Sequence, residues 1–121
     1  MGAVPTGWPR DLEAPESPRF AEAVVPWLLD RCPPEYRSHD VLRRHPRALS
    51  RLAVHHSQAT LDGARAAYAN ARRELADSLP PESLVEVLAA LESEGARIAS
   101  TLRQVQLVDD AVAGTRWTPR L

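Results

Sequence analysis

"SLPPES", Ser78 to Ser83, separates two long runs of helical spacing, and its reading decides the fold. Pro80 has no N–H and crowds the turn before it, so it stops a helix. Pro81 suits a first helical position, and Glu82 is favourable beside the free N–H groups there. Upstream, no proline interrupts the chain back to Pro46, and Gly63 is a tolerated exception. Downstream, no proline appears before Gly114, a residue suited to the left-handed conformation that ends helices. Long helices are therefore expected over 46–78 and 81–113, each roughly 45 Å long at about 1.5 Å per residue.

The two runs carry matching seams. After the break, Leu84, Leu91, Ile98, Val105 and Val112 recur every seventh residue, with Leu88, Gly95 and Leu102 interleaved. Before it, Val54, Leu61, Tyr68 and Leu75 do the same, with Ser57, Ala64 and Ala71 between them. Folding the chain at Pro80 pairs Leu75 with Leu84, Ala71 with Leu88, Tyr68 with Leu91, and Ala64 with Gly95. Toward the open end the pairs are Leu61 with Ile98, Ser57 with Leu102, and Val54 with Val105. Large residues meet small ones at alternate layers, and the closest backbone approach is expected where Ala64 meets Gly95. "SLPPES" is then the apex of one antiparallel hairpin.

A two-helix hairpin leaves apolar surface wet, so a third element must cover it. Leu49, Leu52 and His56 with Leu107, Val108 and Ala111 make an apolar patch near the open end. The cover is an amino-terminal helix, expected over 18–31, whose Phe20, Val24, Trp27 and Leu28 recur at helical spacing. Ser17 followed by Pro18 starts it, and Pro26 either kinks or splits it. Residues 1–17, with Pro5, Pro9 and Pro15, read as an extended arm that Trp8 and Leu12 can dock. Asp40 heads a further short helix at about 35–45, and His45-Pro46 is either a kink or a fresh start. The expected fold is all-α: a single helical domain over 18–113, built as a long coiled-coil-like hairpin with a shorter helix packed near its open end. Residues 114–121 are expected as a tail. At the apex Leu79, Val85 and Val87 have no cover within the chain and form a candidate partner face.

Composition agrees with a small globular protein: 121 residues, 44% apolar and 26% charged, with only 5% aromatic. The core is expected to be thin and alanine-rich, without a large ligand cavity. No apolar run is long enough to span a membrane, and the first residues lack the basic start and apolar stretch of a signal peptide, so a cytoplasmic location is expected. A net charge of -1 provides no bulk attraction to nucleic acid or membrane. All basic residues are arginine, a bias that a GC-rich bacterial coding sequence produces.

Catalytic and metal chemistry find no foothold. His39, His45, His55 and His56 share one segment, but His55 and His56 are adjacent, pointing about 100° apart on a helix. No acid lies three or four positions from either, so neither metal nor cofactor is expected. Cys32 is expected to be a buried, inert thiol. There is no nucleophile elbow and no glycine-rich phosphate loop, and no enzyme activity is expected.

The sharp signal is charge. Between Arg37 and His56 stand five arginines and four histidines against one acid, Asp40. Arg43, Arg47, Arg51 and His55 follow every fourth residue, with Arg44 beside them. The tail adds Arg116 and Arg120 around Trp117. One reading is a phosphate-tracking surface for nucleic acid or a ribosomal partner, with Trp117 available for stacking. The other is a solvated arginine face partly neutralised by Asp109 and Asp110, and the near-zero overall charge favours it. At the opposite end Glu82, Glu86, Glu92 and Glu94 are acidic, and Arg72 and Arg73 are expected to pair with Glu82 or Glu86. The expected function is a non-catalytic protein-interaction or self-association module, with nucleic-acid binding through the basic end as the alternative.

Overall fold

The computed structural model describes the backbone of residues 4–117 and the side chains of residues 4–114. Four α-helices follow in order: α1 (Phe20–Leu29), α2 (Asp40–Arg44), α3 (Pro46–Leu75) and α4 (Pro81–Trp117), with a short 3₁₀ turn at Pro34–Ser38 before α2. The long pair α3 and α4 packs as an antiparallel hairpin, and α1 lies against its open half.

The helix boundaries follow backbone chemistry. His45 sits at φ -128 and ψ 82, outside the helical region, because Pro46 behind it crowds an α conformation. His45-Pro46 is thus a fresh start, and α2 and α3 are separate helices. Pro26 lies inside α1 without splitting it. α1 begins two residues later than Ser17-Pro18 implied, yet the Ser17 hydroxyl still accepts the backbone N–H of Arg19 at 3.1 Å. α3 stops at Leu75, three residues short of expectation, and Ala76–Leu79 form the turn into Pro80. Gly114 does not end α4, which continues to Trp117, so the expected tail is helical in its first residues. A helical glycine costs about 1 kcal/mol relative to alanine, which is a weakness and not a stop.

The seam pairing is confirmed at its far end. Carried one layer beyond Val54 and Val105, the same register sets Ser50 opposite Asp109, and the Ser50 hydroxyl donates to Asp109 Oδ1 at 2.6 Å. Along the seam Ser57, Leu61, Ala71, Leu88, Leu102 and Val105 are buried. One layer departs from expectation. A Cβ placed on Gly95 would have no neighbour within 4 Å, so Ala64 and Gly95 do not mark a close backbone approach. They leave a gap on the hairpin's surface.

The core is concentrated at the open half. Phe20, Val24, Trp27 and Leu28 of α1 close over Leu49 and Ala53 of α3 and Val105, Val108 and Val112 of α4. Leu52 is left 39% exposed, so the expected patch is only partly covered. From Val4 onward the amino-terminal arm is folded into turns, not extended: Trp8 and Leu12 are buried in the same core, and the Trp8 ring lies 6.0 Å from that of Phe20. Gly7 makes this entry possible by adopting φ 87, a conformation that side-chain-bearing residues rarely take. Asp11 then ties the arm to α1, accepting from Trp27 Nε1 at 2.9 Å and from Arg31 Nη2 at 3.1 Å. The Trp27 hydrogen bond, with the Arg31 charge beside it, holds the Asp11 carboxyl below its ordinary value despite some desolvation. Arg31 also lies over the Trp27 ring, 3.7 Å from its centroid.

Candidate functional site

α1 closes one side of the hairpin at its open half and the arm lies along α4 there, near Leu107 and Asp110, so the hairpin is bare toward the apex. The end of α1 meets the hairpin at a cleft of about 280 Å³ lined by Cys32 together with His56, Thr60, Arg97 and Thr101. A second, shallower groove of about 230 Å³ opens between α3 and α4 nearer the apex, lined by Ala64, Arg65, Tyr68, Leu91, Glu92 and Gly95. At about 100° per residue, Arg65 stands roughly 140° around α3 from Thr60, and Glu92 stands as far around α4 from Arg97. The groove therefore faces away from α1. Its floor is the gap at Ala64 and Gly95, its walls are Tyr68 and Leu91, and one charge of each sign stands at its rims.

The basic stripe runs onto the same face. Arg47 is five helical turns from Arg65 and shares its direction, with Arg51 one turn further along. These two arginines converge on one carboxylate: Arg47 Nη1 donates to Asp109 Oδ1 at 2.6 Å, and Arg51 Nη1 to Asp109 Oδ2 at 2.7 Å. Asp109 is only 5% exposed, and Ser50 provides its third donor, so its oxygens are satisfied inside the fold. Arg43 and Arg44 lie on α2, across the break at His45, and sit beside Asp40 at 3.5 and 2.9 Å. Arg43 also donates to the Arg37 carbonyl oxygen. His55 is exposed. The side chains of Arg116 and Trp117, and the whole of Arg120, lie outside the described residues. The four basic residues of α2 and the start of α3 are thus held by two carboxylates, one exposed and one buried.

The expected apex face is not a single surface. Val85 is 66% exposed, but Val87, two residues further on, points about 200° away and is half-buried, as is Leu79 in the turn. Val85 belongs with Glu92, one heptad on, on the groove side. Arg72 and Arg73 do not meet Glu82 or Glu86; Arg73 instead donates to Asn70 Oδ1 at 2.5 Å. Side chains at i and i+3 on one helix are closer neighbours than charges across the turn.

Two further places hold polar groups. A wider cleft of about 990 Å³ separates the arm from α4, with Arg10, Arg31 and Arg103 interspersed with Asp11 and Asp110, but Arg31 is already committed to Asp11 and Trp27. Cys32 is a buried free thiol, and burial pushes its pKa up to about 11 against a weaker opposite pull from Arg37. A thiol so shifted is a poor nucleophile near neutral pH. Among the described residues no three histidine, cysteine, aspartate or glutamate side chains gather as metal ligands. No helix among them is long and apolar enough to cross a membrane.

Sequence reasoning found the arginines and named Asp109 and Asp110 as partial neutralisers of their face, but it did not separate the two acids or expect Asp109 to be buried. The signal that singles Asp109 out is register: it is the next seam position after Val105. Compared with protein-family models, curated proteins and solved structures, the chain matches none.

Proposed function

We propose that this chain is a small cytoplasmic interaction module without catalytic activity, which offers the bare face of its hairpin to another helical surface. The observation that carries the reading is the uneven cover of the hairpin. The open half is closed by α1 and the arm, whereas toward the apex Tyr68, which lines the Ala64–Gly95 groove, stays 38% exposed, and Val85, one heptad before Glu92, 66%. Isolated exposed apolar residues are ordinary; a groove lined by an exposed aromatic residue on an uncovered two-helix layer, with an exposed aliphatic residue further along the same side, is the arrangement a docking helix fills.

The test is affinity purification of the tagged chain from its native host, alongside a Tyr68→Glu/Val85→Glu variant. Both positions are exposed, so the variant is expected to fold normally and to lose the co-purifying partner. An unchanged set of co-purifying proteins would sink the reading. The alternative, an anionic polymer held at the basic end, receives less support, because Arg47 and Arg51 are already oriented by Asp109 and Arg43 and Arg44 by Asp40.

A further inference from the structure

We infer that the occupant of the bare hairpin face is a second copy of this chain, packed with its α3 over α4 of the first. The inference rests on the interaction reading above and names its partner. Three observations lead to it: the charge of the two long helices, the charges at the groove's rims, and the size of the face.

Over the bare length, α3 from Gln58 to Leu75 carries three arginines against two acids, and the facing part of α4 from Leu84 to Thr101 three acids against one arginine, so the two lengths are of opposite sign. Two copies can meet face to face in two symmetric ways. With the two-fold axis across the hairpin, α3 lies on α3 and α4 on α4, basic on basic and acidic on acidic. With the axis along the hairpin, each α3 lies over the other copy's α4, and every neighbouring pair in the resulting four-helix layer is of opposite sign. Electrostatic complementarity selects the second arrangement.

The groove fits that arrangement. Arg65 and Glu92 stand on its opposite rims, and the seam register places them within about 3 Å in height. Among the described residues neither has an ion-pair partner within the chain. In the dimer each Arg65 meets the Glu92 of the other copy, twice by symmetry, and Tyr68 of each enters over the other's Leu91. The uncovered stretch of α3 from Gln58 to Leu75 is roughly 26 Å long and the face two helices wide, giving on the order of 500 Å² per copy. That is about 1,000 Å² in total, at the lower limit of specific interfaces, so the dimer dissociates on dilution.

The experiment is sedimentation equilibrium of the full chain across concentration, with Arg65→Glu and Glu92→Arg variants and circular dichroism to verify folding. The wild type is expected to rise from its 13.3 kDa monomer mass to twice that value. Each single reversal is expected to raise the dimer Kd about ten- to a hundredfold without changing helicity. Mixing the two single variants is expected to restore the dimer, because only the mixed pair sets opposite charges against each other at both sites. Wild type that remains a monomer at about 1 mM overturns the inference and leaves the interaction reading to its own test with Tyr68 and Val85. Single variants that dimerise like wild type, or a mixture that stays monomeric, also overturn it.

Discussion

Asp109 is the residue on which the open end is organised. It is buried, it receives Ser50, Arg47 and Arg51, and it joins α4 to α3 at the layer beyond the last apolar seam pair. A buried carboxylate is tolerable only when its oxygens are hydrogen-bonded and its charge is matched. Replacing it with asparagine keeps the shape but removes the charge and turns one acceptor into a donor aimed at another donor. Asp109→Asn is expected to cost about 2 kcal/mol in chemical denaturation. Asp110→Asn, one residue on and exposed, is expected to remain within about 0.5 kcal/mol of wild type. Equal effects at the two positions would show that the cluster contributes nothing special.

At the scale of elements, the hairpin was legible because its determinants are local. Pro46, Pro80 and Pro81 set helix limits through missing N–H groups and steric crowding, and heptad spacing sets which side of each helix faces the other. Gly95 was misread because a small residue at a seam position has two meanings: it permits a close approach, or it leaves a gap. Spacing alone does not distinguish them. The open space around Gly95 gives a direct prediction: Gly95→Ala should stabilise the chain by about 0.5 to 1 kcal/mol, measured by thermal or chemical unfolding at low concentration, since helix entropy improves with no clash. Destabilisation would mean that backbone from α3 closes on this site.

The whole molecule is a hairpin with a thick end and a thin one. Trp8, Leu12 and α1 add a layer to the open half, while the apex half has only its own seam, with Leu61, Ala71 and Leu88 as buried contacts. Local stability follows local burial. Hydrogen exchange at low protein concentration is expected to show the slowest amides in α3 around Leu49–Ala53 and in α4 around Val105–Val108, and faster exchange in both helices near Pro80. Uniform protection along the hairpin would contradict this gradient. By itself the sequence determined the two long helices, the apex at "SLPPES" and the cover by the helix of Phe20 and Trp27, because these depend on backbone stereochemistry and periodicity within short windows. Only the tertiary structure decided which of several possible pairings the alanine-rich seams take, that the arm folds back through Gly7, that Arg47 and Arg51 share Asp109, and that the hairpin stays bare toward the apex. Those outcomes depend on which side chains distant parts of the chain bring within hydrogen-bonding reach and on which surface the third layer leaves uncovered, and no local spacing encodes either.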